Sequence, residues 1–453
     1  MGAPYDIQYR RISTRRLVVC RRGINMYGHV PTISRTIEQY RDLIGDAGLQ
    51  EIRDLARPLT GARVLHLNIA PFGTIVSDLL GSLVPLMNSV GLSADLQVIR
   101  VAADFQHVNS AMYDALGGAD AEWTPEMANT WLKYNAMNAR LFDRDYDFVV
   151  IHDPQPAGIL SAKLEQSGQR PAGKWIWHCH LDLGDARPEV WDLLRRHVEH
   201  HDAIAFSAAE YARPDIQTPL ERIIPPAIDP LGPRNAELPR QVTSQVLHQH
   251  GIDDQRPLIC QIARFDRWND PVGAAEAYRL AKQSCPELQL ILVATVEPED
   301  DLSWSQWQQI AQRSREDRDL HLLSSIREVG NTEMNAFQRA ADVCLQMSVK
   351  KGFAVTLLEA MWKGRPVVGG RSGALPLQIV DGLNGYLVAN SQESARRIEH
   401  VLTEPESARE MGEAGHRLAG ERYTVTSYLR DYLALFRDLA GVQNPPTGDP
   451  QKP

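Results

Sequence analysis

The sequence has few cysteines, no surplus of basic residues and no long apolar run, and each shortage excludes a class of protein. Five cysteines in 453 residues are odd in number and widely spaced, so we expect reduced, mostly buried thiols and a cytoplasmic protein. The formal net charge of -9 argues against a general nucleic-acid binder, because no cationic excess exists to neutralise phosphates. No segment is apolar over the length that a membrane-spanning helix needs.

The first 22 residues carry six arginines and only a short apolar run at 17–20. That run is too short for the apolar core of a secretory signal peptide. We interpret this stretch as a solvated arm, and a phosphate or partner site is the alternative.

The chain is too long for one hydrophobic core, and 453 residues favour two or three domains. In the first half the predicted strands are residues 63–68, 96–101, 147–152, 174–178 and 203–206, and the predicted helices are 76–90 and 126–142. Such an alternation of strands and helices predicts a parallel sheet covered on both faces.

A proline-rich break at 224–233 separates this series from a second one. The strands predicted there are 257–262, 288–294, 320–323, 343–346 and 366–368, with helices at 271–283 and 331–340. We therefore predict an α/β fold of two Rossmann-like doubly wound domains that face each other across a cleft. Ligands should bind at the carboxyl ends of the strands.

The domain boundaries follow from these breaks. We predict an N-terminal arm at 1–39, a first domain at 40–235, a second domain at 236–421, a closing helix at 422–440 and a disordered tail at 441–453. The linker between the two domains should lie near 230–245.

The most informative segment is KKGFAVTLLEAMWKGRPVV, residues 350–368. It combines a glycine turn, a helix that contains a carboxylate, and a buried strand. Gly352 lets backbone N–H groups approach a ligand, and the start of the following helix favours anions. Glu359 lies about one and a half helical turns further on, a reach compatible with a phosphate at the helix start and a ribose hydroxyl. Stabilisation by the helix dipole is the other interpretation of this carboxylate.

This segment resembles the nucleotide-sugar-binding segment of retaining glycosyltransferases of the GT-B architecture. Further runs narrow the resemblance: VLHLN at 64–68, IHDPQP at 151–156, WHCHLD at 177–182, VGNTEMNAFQRA at 329–340 and QIVDGLNG at 378–385. Together they resemble the trehalose glycosyltransferring synthases, over about residues 40 to 439.

The resemblance implies an enzyme that transfers glucose from a nucleoside-diphosphate glucose, of the ADP-glucose or UDP-glucose type, to glucose or a related acceptor with retention of configuration. It implies no metal and no cofactor besides this donor substrate. The first domain would hold the acceptor and the second the donor. The implied donor-binding residues are Gly73, Arg264, Gly352, Phe353, Val355, Thr356 and Glu359, and the implied catalytic residues are Arg264, Asp153, His180 and Lys351.

The implied roles follow the chemistry of a departing diphosphate. Arg264 would stabilise the charge that develops on the phosphates, although pairing with Asp266 or Asp270 is its other interpretation. Asp153 would accept hydrogen bonds from acceptor hydroxyls, or else cap the end of its strand. His180 would lie beside the transferred sugar.

The chain departs from the family pattern at the donor site. Asn269 stands where a second phosphate cation, a lysine, is usual, and Lys351 stands where a glutamate holds the transferred glucose. A lysine only donates hydrogen bonds, so Lys351 cannot take over that role. Of a usual glycine triplet only Gly73 remains, because the β-branched residues Thr74 and Ile75, which resist a positive φ, follow it.

These departures leave two functions open. One is an active retaining glycosyltransferase; the other is a non-catalytic or altered-specificity protein of that fold that binds nucleotide or sugar. The expected partners are a sugar acceptor and a nucleotide-sugar donor, with no nucleic acid and no membrane span. The nucleotide base, the acceptor and the oligomeric state stay open, a homodimer included.

Histidines cluster twice along the chain. His178 and His180 share one face of a strand, but no second pair of histidines or cysteines with structural-zinc spacing accompanies them, so we predict no metal site. His197, His200 and His201 lie at a helix end, which favours a solvated role at the helix terminus.

Overall fold

The computed structural model describes residues 28–30, 32, 34–71, 74–142, 144–266, 268–295, 301–324, 329–348 and 352–442. Within these residues two sheets flanked by helices form the framework. The predicted α/β fold with two doubly wound halves is confirmed. The arginine-rich first 22 residues, Gly73, Lys351 and the predicted tail beyond residue 442 lie outside the described residues.

The first half is built on one sheet. Its strands are β1 (Gly28–His29), β2 (Arg63–Asn68), β3 (Ser93–Val98), β4 (Phe148–His152), β5 (Lys174–Cys179), β6 (Ala203–Phe206) and β7 (Glu221–Ile223). Its helices are α1 (Arg41–Ala56), α2 (Ile75–Ser89), α3 (Asp104–Leu116), α4 (Pro125–Ala139), α5 (Ile159–Ser167) and α6 (Pro188–Val198). The strand order is β1–β3–β2–β4–β5–β6–β7, with β1 antiparallel to β3 and the other pairs parallel. Strands β4 and β6 are buried along their whole length, as expected where helices cover both faces.

The second half repeats this plan. Its elements are α7 (Arg240–Gln249), β8 (Leu258–Arg264), α8 (Pro271–Ala281), β9 (Gln289–Thr295), α9 (Asp301–Glu316), β10 (Leu320–Ser324), α10 (Asn331–Ala340), β11 (Val343–Gln346), α11 (Val355–Trp362), β12 (Val367–Gly370), α12 (Leu375–Gln378), β13 (Tyr386–Val388), α13 (Ser391–Thr403), α14 (Pro405–Arg422) and α15 (Val425–Leu439). The strand order is β10–β9–β8–β11–β12–β13, all parallel. Among the described residues, no helix combines the length and the apolar character needed to cross a membrane.

The last helix returns to the first half of the chain. The closing helix predicted at 422–440 begins later than expected: Arg422 still belongs to α14, and α15 begins after Thr424, which caps it. The cap sets the later start because its hydroxyl satisfies a first-turn N–H group that has no partner within the helix. Phe436 of α15 stacks on Phe148 of β4 with 4.4 Å between ring centroids, so the final helix belongs to the core of the first sheet.

Asp229 fixes the position of the proline-rich segment 224–233, where the chain crosses from the first half to the second. Its carboxylate accepts hydrogen bonds from the Tyr40 hydroxyl (2.7 Å) and the Ser82 hydroxyl (2.8 Å). The linker predicted near 230–245 is helical in its last part, since α7 begins at Arg240 directly after Pro239. A proline is tolerated where a helix begins, so it marks the start of α7 and not a continuing loop.

The strand predicted at 96–101 lies three residues earlier. In β3 the parallel ladder pairs Ser93 with Arg63 and Val98 with Asn68 of β2. Pairing with the neighbouring strand therefore decides the bounds of β3, and the apolar residues beyond Val98 lie outside the ladder.

Buried thiols and one buried histidine complete the fold. The described cysteines are free, and Cys179, Cys260 and Cys344 are buried, as expected for reduced thiols. His201 contradicts its predicted solvated role: it is 1% exposed, and its Nδ1 lies 3.0 Å from the Val198 carbonyl oxygen. The chain turns inward after α6 to enter the buried strand β6, and this turn carries His201 into the interior.

Candidate active site

Four histidines lie in contact near the carboxyl end of the first sheet. His66 lies in β2, His152 ends β4, His178 lies in β5 and His180 follows β5. His66 Nδ1 lies 3.0 Å from His152 Nε2, and His152 Nδ1 lies 3.3 Å from His180 Nε2. Spacing along the chain did not assign His66 to the site. The available indication was a histidine within an otherwise apolar strand.

Burial keeps these imidazoles neutral. Loss of hydration lowers the pKa of His66 to about 3 and lowers the pKa of His180. The pKa values of His152 and His178 are well below the usual range for the same reason, and neighbouring imidazoles lower them further. A neutral imidazole offers one N–H group and one lone pair. This edge of the sheet therefore presents hydrogen-bonding groups with little charge.

Asp153 lies directly after β4 with a φ of 64°, a left-handed conformation that few non-glycine residues adopt. Its carboxylate accepts a hydrogen bond from the His180 backbone N–H (3.0 Å), and its carbonyl oxygen accepts one from Trp177 Nε1 (2.9 Å). Burial raises the pKa of Asp153. The structure thus brings two predicted site residues together, and Asp153 fixes the backbone that carries His180.

Arg264 ends β8 at the carboxyl edge of the second sheet, with 52% of its side chain exposed and its Nη2 3.3 Å from Asp266 Oδ2. Tyr113 lies in α3 and packs against the core of the first half. Burial raises its pKa, the charge of Asp153 raises it further, and the charge of Arg264 lowers it. Asp153 of the first half and Arg264 of the second half thus both act electrostatically on the same tyrosine.

Asn269 belongs to a continuous polar network. Its Nδ2 donates to Asp266 Oδ1 (2.8 Å), and its Oδ1 accepts from Gln346 Nε2 (2.9 Å). Gln346 Oε1 accepts in turn from Thr356 Oγ1 (3.1 Å). A lysine at position 269 could donate to Asp266 but could not accept from Gln346. Asn269, which departs from the family pattern, is thus connected by hydrogen bonds to the start of α11.

The turn before α11 has the shape that the sequence predicts. Gly352 has a φ of 87°, and a Cβ atom added there would meet no atom within 4 Å. Open space beside a left-handed glycine allows a ligand to approach the backbone. Val355 begins α11, and no side chain of the described residues caps it. Phe353 packs against the cores of both halves.

Glu359 forms an ion pair with an arginine that directly follows the proline-rich segment 224–233. Arg234 donates through Nε to Glu359 Oε1 and through Nη2 to Oε2, both at 2.7 Å. The Glu359 side chain is 6% exposed. The charge of Glu359 raises the pKa of Arg234 despite the opposing effect of burial, and Asp78 of α2 contributes in the same direction. Sequence analysis missed Arg234 because nothing local in the sequence ties it to Glu359.

Thr74 and Ile75 replace glycines without strain. Thr74 has a φ of −116° and caps α2: its Oγ1 accepts a hydrogen bond from Ser77 N (3.0 Å), and its N–H donates to Ser77 Oγ (3.0 Å). Ile75 begins the helix, with 48% of its surface exposed. No positive φ is required of either residue, so their β-branched side chains fit the helix start.

Two families match the sequence. Residues 66–213 match the family described as trehalose synthase, N-terminal domain, and residues 244–418 match glycosyl transferases group 1. The boundary between the two matches falls at the crossing segment and the start of α7.

Relatives and solved structures agree with these matches. Trehalose synthase from Pyrococcus horikoshii is 36% identical over 409 residues, which cover 90% of this chain and 97% of that protein. Trehalose synthase from Rubrobacter xylanophilus is 38% identical over 412 residues, 90% of this chain and 98% of that protein. Sucrose-phosphate synthase from Thermosynechococcus elongatus superposes with a TM-score of 0.65 at 16% identity (84% and 99% covered), and a UDP-forming trehalose-phosphate synthase from Burkholderia xenovorans with 0.67 at 13% (84% and 100% covered). At these identities the structures show the fold alone, but the sequence relatives show that the chain belongs to the trehalose synthase family of glycosyltransferases, enzymes of the GT-B fold.

Proposed function

We propose that the chain is a retaining glycosyltransferase that moves a glucosyl unit from a nucleoside-diphosphate glucose to glucose or a related sugar. Phe353 beside Gly352 packs against the cores of both halves, and Arg264 and Asp153 both act electrostatically on Tyr113, which supports this proposal. A transfer between two substrates needs the donor and the acceptor to be held against each other in one cleft. Groups at the carboxyl edges of two facing sheets provide that arrangement.

The second half would hold the donor. Arg264 stabilises the charge that develops on the leaving diphosphate, and the start of α11 behind Gly352 receives a phosphate. Glu359 accepts hydrogen bonds from the ribose hydroxyls of the donor. A carboxylate accepts at about four lone-pair positions, so the two bonds from Arg234 leave positions for ribose hydroxyls. Lys351, outside the described residues, stays a predicted cation near the diphosphate.

The first half would hold the acceptor. Asp153 accepts hydrogen bonds from acceptor hydroxyls, and His180 lies beside the transferred glucose. In a same-face displacement, the bond between the anomeric carbon and the diphosphate oxygen breaks while the acceptor oxygen bonds to that carbon on the same face. The proton of the acceptor hydroxyl passes to the departing phosphate oxygen, so the leaving group acts as the base.

The network at Asn269 favours a second candidate, a protein that binds nucleotide or sugar without transfer. Asn269 is neutral where the family pattern has a phosphate cation, and its amide is already satisfied by Asp266 and Gln346. A weaker field at the diphosphate would slow departure more than it would weaken binding, because the charge grows as the bond breaks.

Incubation with ADP-glucose and with UDP-glucose, each with and without glucose, separates the two candidates. We expect glucose-dependent release of nucleoside diphosphate and an α-linked product, identified by its anomeric proton coupling. Nucleotide binding in calorimetry without turnover in any combination would reject the transferase and support the second candidate. A product of inverted configuration would reject the retaining mechanism alone.

We also propose a cytoplasmic location, which the free thiols of the described cysteines support. A homodimer stays a prediction, and light scattering of the purified chain tests it.

A further inference from the structure

We propose that His152, His178 and His180 form a zinc site at the carboxyl end of the first sheet. Each ring offers a nitrogen, and these nitrogens lie within 4.8 Å of one another. Zinc binds imidazole nitrogens at about 2.0–2.1 Å in tetrahedral geometry, which places two such ligands about 3.3–3.4 Å apart. The 3.3 Å between His152 Nδ1 and His180 Nε2 agrees with that spacing.

His178 has a ring nitrogen without a hydrogen-bond partner. His178 Nε2 is buried and makes no hydrogen bond within the described part of the chain, and the same holds for His66 Nε2. A buried polar atom without a partner destabilises the folded chain. A metal ion would satisfy the lone pair of His178 Nε2, which the protein leaves unused.

The second nitrogen of each proposed ligand is already held. His178 Nδ1 lies 2.6 Å from the Tyr432 hydroxyl, His180 Nδ1 lies 3.2 Å from the Ser207 hydroxyl, and His152 Nε2 lies 3.0 Å from His66 Nδ1. Histidines that bind metals almost always use their other ring nitrogen in this way, which fixes the ring and the tautomer. The three rings are thus oriented as ligands by partners from β2, α15 and the end of β6.

A carboxylate beside the three rings favours a cation. Asp153 lies beside them, with its Oδ1 bonded to the His180 backbone N–H at 3.0 Å. His180 is only partly buried whereas His152 and His178 are fully buried, so an ion would enter past His180.

Zinc would hold the His180 ring in place and put a double positive charge beside Asp153. Both residues belong to the predicted acceptor site, so the ion would connect that site to the closing helix through His178 and Tyr432. The proposal does not depend on the transferase reaction, because metal content is measured without substrate.

The test uses the full chain, stripped with EDTA, dialysed, exposed to zinc chloride and desalted. We expect one zinc per chain by elemental analysis, and a Co2+ complex with the visible absorption of a low-symmetry site. His178→Asn keeps a hydrogen-bonding atom near Nδ1, toward Tyr432, but removes Nε2. We expect it to weaken zinc binding at least tenfold.

His201→Asn is the matched control. His201 is also fully buried with an unpartnered Nε2 but lies outside the cluster, so this variant should bind zinc like the unmodified chain. Zinc taken up at the partly exposed Cys285 would occur equally in all variants. Equal zinc content in the unmodified chain and His178→Asn, or no stoichiometric zinc in the unmodified chain, would overturn the proposal. If His178→Asn fails to unfold cooperatively, His180→Asn, nearer the surface, takes its place with the same expected loss.

Discussion

The carboxyl edges of the two sheets present different chemistry to the cleft between them. At the first edge, neutral imidazoles lie near the buried Asp153. At the second edge, opposite charges are paired: Arg234 with Glu359, and Arg264 near Asp266. Neutral donors and acceptors suit the uncharged hydroxyl groups of a sugar, whereas cations with bidentate geometry suit phosphates.

This difference also separates the two edges in their response to solvent conditions. Interactions of exposed charges weaken with salt, whereas hydrogen bonds among buried neutral groups do not. Neutral buried histidines are instead sensitive to acid, because the unfolded chain takes up protons that the folded chain resists. Salt should therefore act mainly on the half-exposed Arg264 of the donor side, and acid mainly on the acceptor side.

The largest effect is expected from a change in the most buried ion pair of the second edge, Arg234 with Glu359. Glu359→Gln leaves the Arg234 guanidinium, 24% exposed, without its carboxylate. Removal of one member of a buried pair costs about 3–5 kcal/mol, and we expect about 3 in the free energy of unfolding. Affinities for free nucleoside diphosphate and for the sugar donor should fall by the same factor, since a ribose contact is made before and during the reaction. Denaturant unfolding and calorimetry measure both effects.

Arg234→Gln and the double variant form the control for this pair. Each single change should destabilise the chain, and the double variant should be no less stable than the worse single variant. Additive losses would contradict a direct pairing. An effect confined to the acceptor constant would place Glu359 away from the nucleotide.

Arg264→Ala tests the donor edge directly. Loss of this cation should cost about tenfold to a few hundredfold in donor turnover, on the order of 1.5–3 kcal/mol for a charged hydrogen bond. Stability should change little, since half of the side chain is exposed. Arg279→Ala, which removes an exposed arginine paired with Glu276 on α8, is the matched control and should keep full turnover. Unchanged nucleotide affinity in Arg264→Ala would remove that residue from the site.

Local patterns in the sequence predict much of the fold because they also determine it. Strands β6 (Ala203–Phe206) and β11 (Val343–Gln346) have the predicted bounds, since each is a short apolar run bounded by turn residues. The bounds of β3 depend on its ladder with β2, and no local pattern contains that register. The start of α15 depends on a cap that apolar periodicity does not show.

The site, too, has features that neighbouring residues predict and features that depend on contacts between distant parts of the chain. The turn at Gly352 and the position of Asp153 after β4 follow from neighbouring residues, and the sequence predicts both. The ion pair of Arg234 with Glu359 joins residues 125 positions apart, and His66 meets His152 across 86 positions. Such contacts are set by strand order and by the path of the crossing segment, so a single sequence does not reveal them.

The departures at the donor edge should act together. Lys351→Glu, which restores the family pattern, should lower affinity for the native donor several-fold, about 1 kcal/mol, unless Asn269→Lys is added. Asn269→Lys alone should also destabilise the chain by about 1 kcal/mol, because Gln346 Nε2 loses one of its two acceptors and keeps only the Ser348 hydroxyl. The double variant should transfer glucose better than either single variant. If turnover and nucleotide affinity stay the same in all three, Lys351 is a solvated loop residue and the idea of compensation fails.

The smallest effect concerns acid sensitivity in the first half. Burial lowers the pKa of His201 to about 4, against about 6.5 in an unfolded chain. Between these values the unfolded state binds more protons, so stability falls as pH falls below 6.5. His201→Asn removes this proton uptake. Between pH 7.5 and 5.5, its free energy of unfolding should fall by about 1 kcal/mol less than that of the unmodified chain. Denaturant unfolding at both pH values measures the difference, with His248→Asn, an exposed histidine of the second half, as the control. Equal losses in His201→Asn and the unmodified chain would show that burial of this imidazole does not make the first half acid-sensitive.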